Sequence, residues 1–491
     1  MIPKQEIMAL AAELQLQAHV VEKDYALGWF LAGISAHPVI GPRWVFKGGT
    51  CLKKCYFETY RFSEDLDFTL QDAGHLDEDF LAGVFEEVGD WVYDACGLQL
   101  PPEARKFEVF TNPRGTKSAQ GRVGYRGPLG RAGDPPRIKL DLAADEVLVL
   151  TPAQRPVHHP YTDRPADGIH VLSYSFEEVF AEKMRALAER QRPRDLYDVV
   201  HLYRRQDLQP DRAVVRSTLE RKCEFKGIAV PTHAALTARP ERTAIEVEWE
   251  QMLAHQLPAC PPFDEFWREL PEVFEWLNEA VAAPAFAAVP SAAFGREALD
   301  ATWRLPPMVQ AWGAEAGSLE TIRFAAANRL CVRLDYTKVD GERTSPTIEP
   351  YAVRRTSAGH LLLFGVKADT GESRSYRLDR VDAATVTRQA FRPRYAVELT
   401  ASGPLAAPAL QRPASTAAAF APARPSIRKS QMPARRTSPK PFGQTGPSYT
   451  FACTLCGKTF KRGTFDATLN PHKNKQGWPC PGRIGHRVQC A

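Results

Sequence analysis

Long apolar runs are missing from this chain. No stretch offers ~20 consecutive apolar residues, so a membrane-spanning helix is not expected. The opening MIPKQEIMALAAELQLQ is interrupted by Lys4, Glu6 and Glu13 and does not read as a secretory signal. Cysteine is sparse: ten in 491 residues, far below a disulfide scaffold. Cys51, Cys55, Cys96, Cys223, Cys260 and Cys331 are scattered, whereas Cys453, Cys456, Cys480 and Cys490 crowd the last 39 residues. A reducing cytoplasm fits that usage, with the last four doing something local. Acids nearly vanish after residue 400: residues 401–491 hold fourteen Lys and Arg against Asp466 alone. The overall charge of +5 therefore divides into about −8 for residues 1–400 and +13 for the rest. Basic tails meet phosphate backbones or acidic protein surfaces, or simply stay solvated. A composition 44% hydrophobic and 25% charged excludes a wholly disordered or fibrous chain. At ~150 residues per domain, the length implies two to four domains.

Residues 1–205 mix helical and strand patterns, the mark of an α/β (α+β) fold. Leu14, Ala18, Val21, Tyr25 and Leu27 predict a helix from Leu14 to Ile34. Trp44-Val45-Phe46 reads as a strand ending at Gly48-Gly49, with Thr50 capping a helix from Cys51 to Phe57. Asp65 to Leu70 and Ile138 to Leu142 alternate polar and apolar, as half-buried strands do. Phe80 to Tyr93 looks helical, and Asn112 to Pro136 reads as a long loop or hairpin. Ser175 and Glu178 form a capping-box pattern for a helix through Arg190, which Pro193 ends before a second helix to about Arg205. Residues 206–310 continue as helices. Residues 319–399 open with a helix (Leu319 to Asn328) and then show strands at Cys331 to Tyr336, Leu361 to Ala368 and Tyr376 to Val381. Residues 401–447 are Ala, Pro, Ser and Arg without an acid, a composition that buries no core and reads as a disordered basic linker. Residues 448–491 hold the cysteine cluster.

The most informative stretch is Phe46-Lys47-Gly48-Gly49-Thr50, followed by Arg61 to Phe68. Alternate strand residues share a face, so Asp65 and Asp67 present two carboxylates side by side. Such like charges are costly unless a cation lies between them. Mg²⁺, or Mn²⁺, takes oxygen ligands and pairs with one or two carboxylates and substrate phosphates. Asp141 can supply a third ligand. The glycine pair lets the backbone approach a phosphate, and the helix beginning near Thr50 offers free N–H groups. Together these residues suit nucleotidyl transfer. Asp65 and Asp67 on a merely solvated strand face is the plainer alternative.

FKGGTCLKKCYFETYRFSEDLDFTL resembles the core motif of the AbiEii/AbiGii toxin nucleotidyltransferases, a branch of the DNA polymerase beta-like superfamily. LSYSFEEVFAEKMRALAERQRPRDLYDVVHL resembles that family's later motif, and the likeness spans roughly residues 15–280. It implies that Gly48, Gly49, Thr50, Ser63, Lys183, Arg194 and Asp198 contact the nucleotide. It also implies that Lys183 and Asp195 join Asp65, Asp67 and Asp141 in catalysis. Read without the resemblance, Lys183 is either a point charge for phosphates or half of a surface ion pair on its helix. Asp195 lies in a helix's first turn, where the macrodipole favours a carboxylate anyway.

The segment from Leu319 to Tyr395 resembles a WYL domain, a small bent sheet of bacterial regulators and defence proteins. His360-Leu361-Leu362-Leu363-Phe364 stands where Trp-Tyr-Leu is usual. Arg374, Arg377 and Arg380 flank Tyr376 and suit contact with nucleic acid; alternatively Arg377 and Arg380 pair with Asp379 and Asp382. In the tail, Cys453-Thr454-Leu455-Cys456-Gly457 is a C-x-x-C knuckle. Zn²⁺ needs four tetrahedral ligands, and the simplest set is Cys453, Cys456, Cys480 and Cys490, with His472 or His486 able to replace a later one. Some forty residues need such a staple to fold. The module looks like a zinc ribbon or finger gripping nucleic acid.

The expectation is a nucleotidyltransferase moving a nucleoside monophosphate from an NTP to an acceptor. The resemblance implies a toxin of a toxin–antitoxin or phage-defence system with a cognate antitoxin and, for some relatives, the 3′ end of a tRNA as acceptor. A non-catalytic nucleic-acid-binding regulator is the alternative.

Overall fold

Two helices open the chain in the computed structural model, α1 (Lys4–Glu13) and α2 (Ala18–Ala36). The single helix expected over Leu14 to Ile34 is thus interrupted, because Gln17 takes an extended conformation. The structure describes residues 1–400 apart from 15, 58–60, 112–114, 205–209, 239–240, 279–285, 296–297, 301 and 304–315. It then describes 403–404, 449–462, 467–470, 472–473, 479–480 and 484–490. Most of the expected linker, 401–447, lies outside the described residues, as do Phe465, Lys475, Trp478 and Arg483. The chain divides into two units, Met1–Pro408 and Ala409–Ala491. No helix among the described residues is long and apolar enough to cross a membrane.

Seven strands build the first sheet: β1 (Trp44–Lys47), β2 (Asp65–Leu70), β3 (Arg105–Thr111), β4 (Lys117–Gly124), β5 (Arg137–Ala143), β6 (Ala153–Val157) and β7 (Ile169–Ser173). Their order is β3-β4-β5-β2-β1-β7-β6. Trp44, Val45 and Phe46 are buried, so the central strand is apolar on both faces. The loop or hairpin expected over Asn112 to Pro136 is the β3–β4 hairpin and the connection into β5. Helix α3 (Gly48–Cys51) begins directly after β1 and widens into a π-helical turn at Leu52–Tyr56. Thr50 therefore does not cap it: Thr50 is inside the first turn, and its hydroxyl donates to the Asp65 carbonyl. Helix α4 (Glu78–Cys96) packs its Leu81, Val84, Phe85, Val88 and Val92 stripe on the sheet.

Helices α5 (Phe176–Arg190) and α6 (Pro193–Arg204) follow. Ser175 accepts the Glu178 N–H at 3.3 Å, as a capping box requires. Glu178 does not reach back. Its carboxylate takes the N–H groups of Val149 and Leu150 and pairs with Lys222 at 2.7 Å, which satisfies a buried loop instead. The helical stretch continues as α7 (Arg212–Lys226), α8 (His233–Thr237), α9 (Glu241–Leu253) and α10 (Phe263–Asn278).

Helix α11 (Ala316–Ala327) leads into a second, antiparallel sheet: β8 (Leu330–Thr337), β9 (Arg343–Thr344), β10 (Thr347–Arg355), β11 (Leu361–Lys367), β12 (Ser373–Arg377) and β13 (Val381–Ala390). Its order is β12-β11-β10-β8-β13, with β9 beside β8. Val289, Phe294 and Leu299 pack with Tyr351 and Phe364 of this sheet. Those three residues therefore belong to the second sheet's core, not to the helical stretch in which they were expected. One continuous apolar core nonetheless runs from Ile7 through α11 to Leu399.

Candidate functional site

Strand pairing creates the site. Lys47 on β1 lies opposite Asp67 on β2, and Asp67 lies beside Asp141 on the parallel neighbour β5. In-register neighbours share a face at ~4.8 Å strand spacing, so Lys47, Asp67 and Asp141 form one row, with Asp65 beside Lys139 in the next. A cleft of about 330 Å³ opens over this row, lined by Lys47, Gly48, Gly49, Asp67, Asp141, Lys183 and Arg190 among others.

The two glycines are needed there for steric reasons. Gly48 sits at φ +81°, and a Cβ on it would fall 2.0 Å from Asp67 Oδ2. A Cβ on Gly49 would fall 2.4 Å from a guanidinium nitrogen of Arg61 and 3.2 Å from Ser63 Oγ. The turn is thus wrapped tightly around the carboxylate it accompanies. Burial pushes Asp67 up to about 6, with Asp141 adding to the rise and Lys47 opposing it. Asp65 is raised too, chiefly by burial. Lys47 pairs with Glu146. Burial alone would raise Glu146, yet Lys47 holds it at about 2. Lys139 Nζ lies 2.5 Å from Asp141 Oδ2. Asp65, Asp67 and Asp141 thus share a face of the sheet.

The cleft's other wall is α5. Lys183 reaches it from a buried position, held by Asp198 at 2.7 Å and Asp195 at 3.2 Å. Burial disfavours the charged ammonium, but those two carboxylates raise its pKa. Arg190, also facing the cleft, bonds Asp195 at 2.8 Å. Arg61 is fully buried and forks both oxygens of Asp198 at 2.8 Å, with Gln256 Oε1 at 3.0 Å. The surface ion pair considered for Lys183 is therefore absent. Asp195 and Asp198 are 1% and 0% exposed and stand behind Lys183, not in the cleft. Arg194 lies near Asp65 and Glu64, and burial, with Arg61 close by, lowers its pKa. Its Nε is buried without a hydrogen-bond partner among the described residues.

Lys47, Glu146, Arg61 and Arg190 had no assigned role in the sequence. A lone lysine at a strand end and an arginine in a loop carry no periodic signal. In the second sheet, Arg377 pairs with Asp379 at 2.5 Å and touches His360 at 2.9 Å, while Arg374 pairs with Glu372. The Arg377–Asp379 pair is the one named in the structural alternative. Asp382 accepts from Thr337, and Arg380 follows Asp379 in a short helical turn.

In the C-terminal unit, strands Tyr449–Cys453, Thr459–Arg462 and Gly485–Cys490 form one small sheet, and His472–Lys473 pairs with Pro479–Cys480. Cys453, Cys456, His472 and Cys480 bring their ligand atoms within 4.8 Å of one another. Burial opposes ionisation of Cys453, but the N–H groups of Cys456 and Leu455 hold it down to about 6. His472 Nδ1 donates to the Asn470 carbonyl at 3.0 Å, which leaves Nε2 facing Cys456 at 3.3 Å. Among the described residues the fourth member of this cluster is His472, and the register sets Cys490 opposite Tyr449, at the other end of the strand from Cys453. The Cys490 side chain lies outside the described residues. His486 is exposed and opposite Ala452.

Comparison with family models matches residues 29–275, half of the chain, to the family described as nucleotidyl transferase AbiEii toxin, type IV TA system. Residues 317–386 match the WYL domain. Among solved structures, the chain is similar to MenT4, a nucleotidyltransferase toxin from Mycobacterium tuberculosis, at 22% identity and a TM-score of 0.40; the likeness covers 57% of this chain and 91% of that one. It is also similar to proteasome accessory factor B/C of Arthrobacter aurescens, at 15% identity and a TM-score of 0.15, over 43% of this chain and 32% of that one. No curated protein matches.

The glycine geometry is testable by paired substitutions. Gly48→Ala should cost ~2 kcal/mol or more, since left-handed backbone alone costs ~1–2 kcal/mol for a residue with a Cβ. Gly83→Ala, exposed on α4 with nothing within 4 Å of the added carbon, should gain ~0.5–1 kcal/mol. Denaturant unfolding reads both. Equal effects at the two positions would contradict the steric account.

Proposed function

The chain belongs to the nucleotidyl transferase family of AbiEii toxins, and from that premise we propose that it transfers a nucleoside monophosphate from an NTP to a nucleic-acid acceptor. Family membership makes it an enzyme, a toxin of a type IV toxin–antitoxin system with an antitoxin as counterpart. The finer reading rests on one observation: Asp67 and Asp141 lie in register beneath a two-glycine turn, facing a buried Lys183 across one cleft. Asp65, Asp67 and Asp141 are hard oxygen donors, and burial, with Asp141 and Asp65 adding to it, raises Asp67 despite Lys47 and Lys183. That donor set fits Mg²⁺ or Mn²⁺. A bound divalent ion would supply charge stabilisation on the phosphates and activate the attacking hydroxyl.

The chain's own residues do the rest. Lys183 and Arg190 present positive charge to the triphosphate from α5. Arg194, near Asp65 and Glu64, adds a further positive charge for the phosphates. Gly48 and Gly49 let the backbone approach the nucleotide, and Ser63 stands against Gly49. Asp195 and Asp198 act from behind, holding Lys183 charged and aimed. The acceptor favoured by the +13 tail is an RNA, with the 3′ end of a tRNA as the leading candidate. Asp65→Asn and Asp67→Asn should each lower transfer by about 10³-fold or more. Thermal unfolding should show the fold intact, because both are half-buried strand residues that relieve repulsion when neutralised. A variant retaining near-normal transfer would overturn the assignment.

The C-terminal unit adds a second metal. Three thiol sulfurs and one imidazole nitrogen match the preferences of Zn²⁺, and among the described residues the local core is Phe451, Cys453, Leu469 and Cys480 with a few neighbours. Zinc would hold this unit together and present its lysines and arginines to the acceptor. The full chain, purified under reducing conditions, should carry one zinc by native mass spectrometry. His472→Ala should lose it and Cys490→Ser should keep it. The reverse pattern would restore the four-cysteine set.

A further inference from the structure

Helix α6 has two working faces. Asp195 and Asp198 point to Lys183, Arg61 and Arg190, as described above. Tyr197, His201 and Arg204 recur at i, i+4 and i+7, a single stripe whose centre lies about 120° round the helix from that of the aspartates. This second stripe meets the last residues of α11. Tyr197 Oη donates to Asn328 Oδ1 at 2.8 Å, and His201 Nε2 donates to the same oxygen at 3.2 Å. Arg204 reaches the Ala327 carbonyl at 3.2 Å and shares Glu269 with Arg329. Asn328, Tyr197 and His201 are 2%, 0% and 2% exposed. Asn328 Nδ2 in turn donates to the Phe324 carbonyl at 3.0 Å, which fixes which way the amide faces.

Asn328 lies in the segment that matches the WYL domain, and α6 lies in the segment that matches the transferase. Neither module contains the contact alone. A helix is stiff along its length, and buried polar groups tolerate little displacement because an unmade bond costs ~1–3 kcal/mol. A rotation or shift of α6 at the Asn328 stripe must therefore carry Asp195 and Asp198 with it.

We propose that Asn328 is a positioning residue for nucleotidyl transfer: the WYL-like segment, through this amide beside the Ala327 carbonyl, fixes the rotation of α6 and so the placement of Lys183 over the carboxylates. The inference rests on the reading of Lys183 as the cleft cation. It makes the second sheet part of the working enzyme, and not an appended sensor alone. Anything that displaces α11 then acts on transfer without entering the cleft.

A double-mutant cycle tests this in the full chain. Asn328→Ala should lower kcat by about 10- to 100-fold, since a misplacement of about an ångström can cost ~10²-fold. In a Lys183→Gln background the same change should alter kcat less than twofold, because the group it positions is gone. Equal fold losses in both backgrounds, or no loss from Asn328→Ala, would overturn the proposal. If Asn328→Ala fails to fold, Tyr197→Phe and His201→Gln put the same question from the α6 side, with the same pattern expected and the same pattern fatal. Should Lys183→Gln by itself leave kcat unchanged, the reading of the site fails and the coupling fails with it.

Discussion

A buried fork holds this protein's chemistry together: Arg61 grips both oxygens of Asp198, which also accepts from Lys183. Arg61 and Asp198 are 2% and 0% exposed. Two carboxylates, Asp195 and Asp198, are met by three cations, Lys183, Arg61 and Arg190, so the group keeps net positive charge where a triphosphate would lie. Desolvating these charges is expensive, and only mutual pairing offsets it. Removing one partner would leave another stranded, which costs about 3–5 kcal/mol. The fork also ties the two halves of the site together in space, since Arg61 presses on Gly49 while Lys183 faces Asp67 across the cleft.

The same constraint explains why the second sheet is fused to the transferase and does not hang from a tether. Helix α6 is buried on both stripes, and its outer stripe is satisfied by Asn328, Ala327 and the Arg204–Glu269–Arg329 cluster. A buried glutamate between two arginines is stable only with all three present. The apolar core is continuous through this junction, so the boundary between the family segments is a boundary in ancestry and not in packing.

Much of the site was legible because strand alternation is a local property. Asp65, Asp67 and Asp141 could be read from period-two patterns, and the glycine pair from its place at a strand end. Register is not local, so the row of Lys47, Asp67 and Asp141 could not be read. Arg61 and Glu146 belong to connections without periodicity, and their roles depend on partners more than seventy residues away. Asp195 and Asp198 were expected in the pocket; the spacing that suggested it serves as well for a buried brace behind Lys183. Strand β10 was missed because Pro350 argues against a central strand, and the register shifts between Pro350 and Ala352. In the tail, the knuckle Cys453–Cys456 follows from spacing alone. That His472 joins Cys453, Cys456 and Cys480 hangs on the pairing of two-residue strands, which no composition reveals.

The central claim is transfer of a nucleoside monophosphate, and the position of the label in an NTP tests it most directly. Purified protein would be incubated with total RNA, Mg²⁺ and each NTP in turn, labelled on either the α- or the γ-phosphate. The account predicts that α-label moves into an RNA band, that γ-label does not, and that chelating the divalent ion stops the transfer. Transfer of γ-label, or no transfer of α-label from any of the four nucleotides to any RNA, would contradict it.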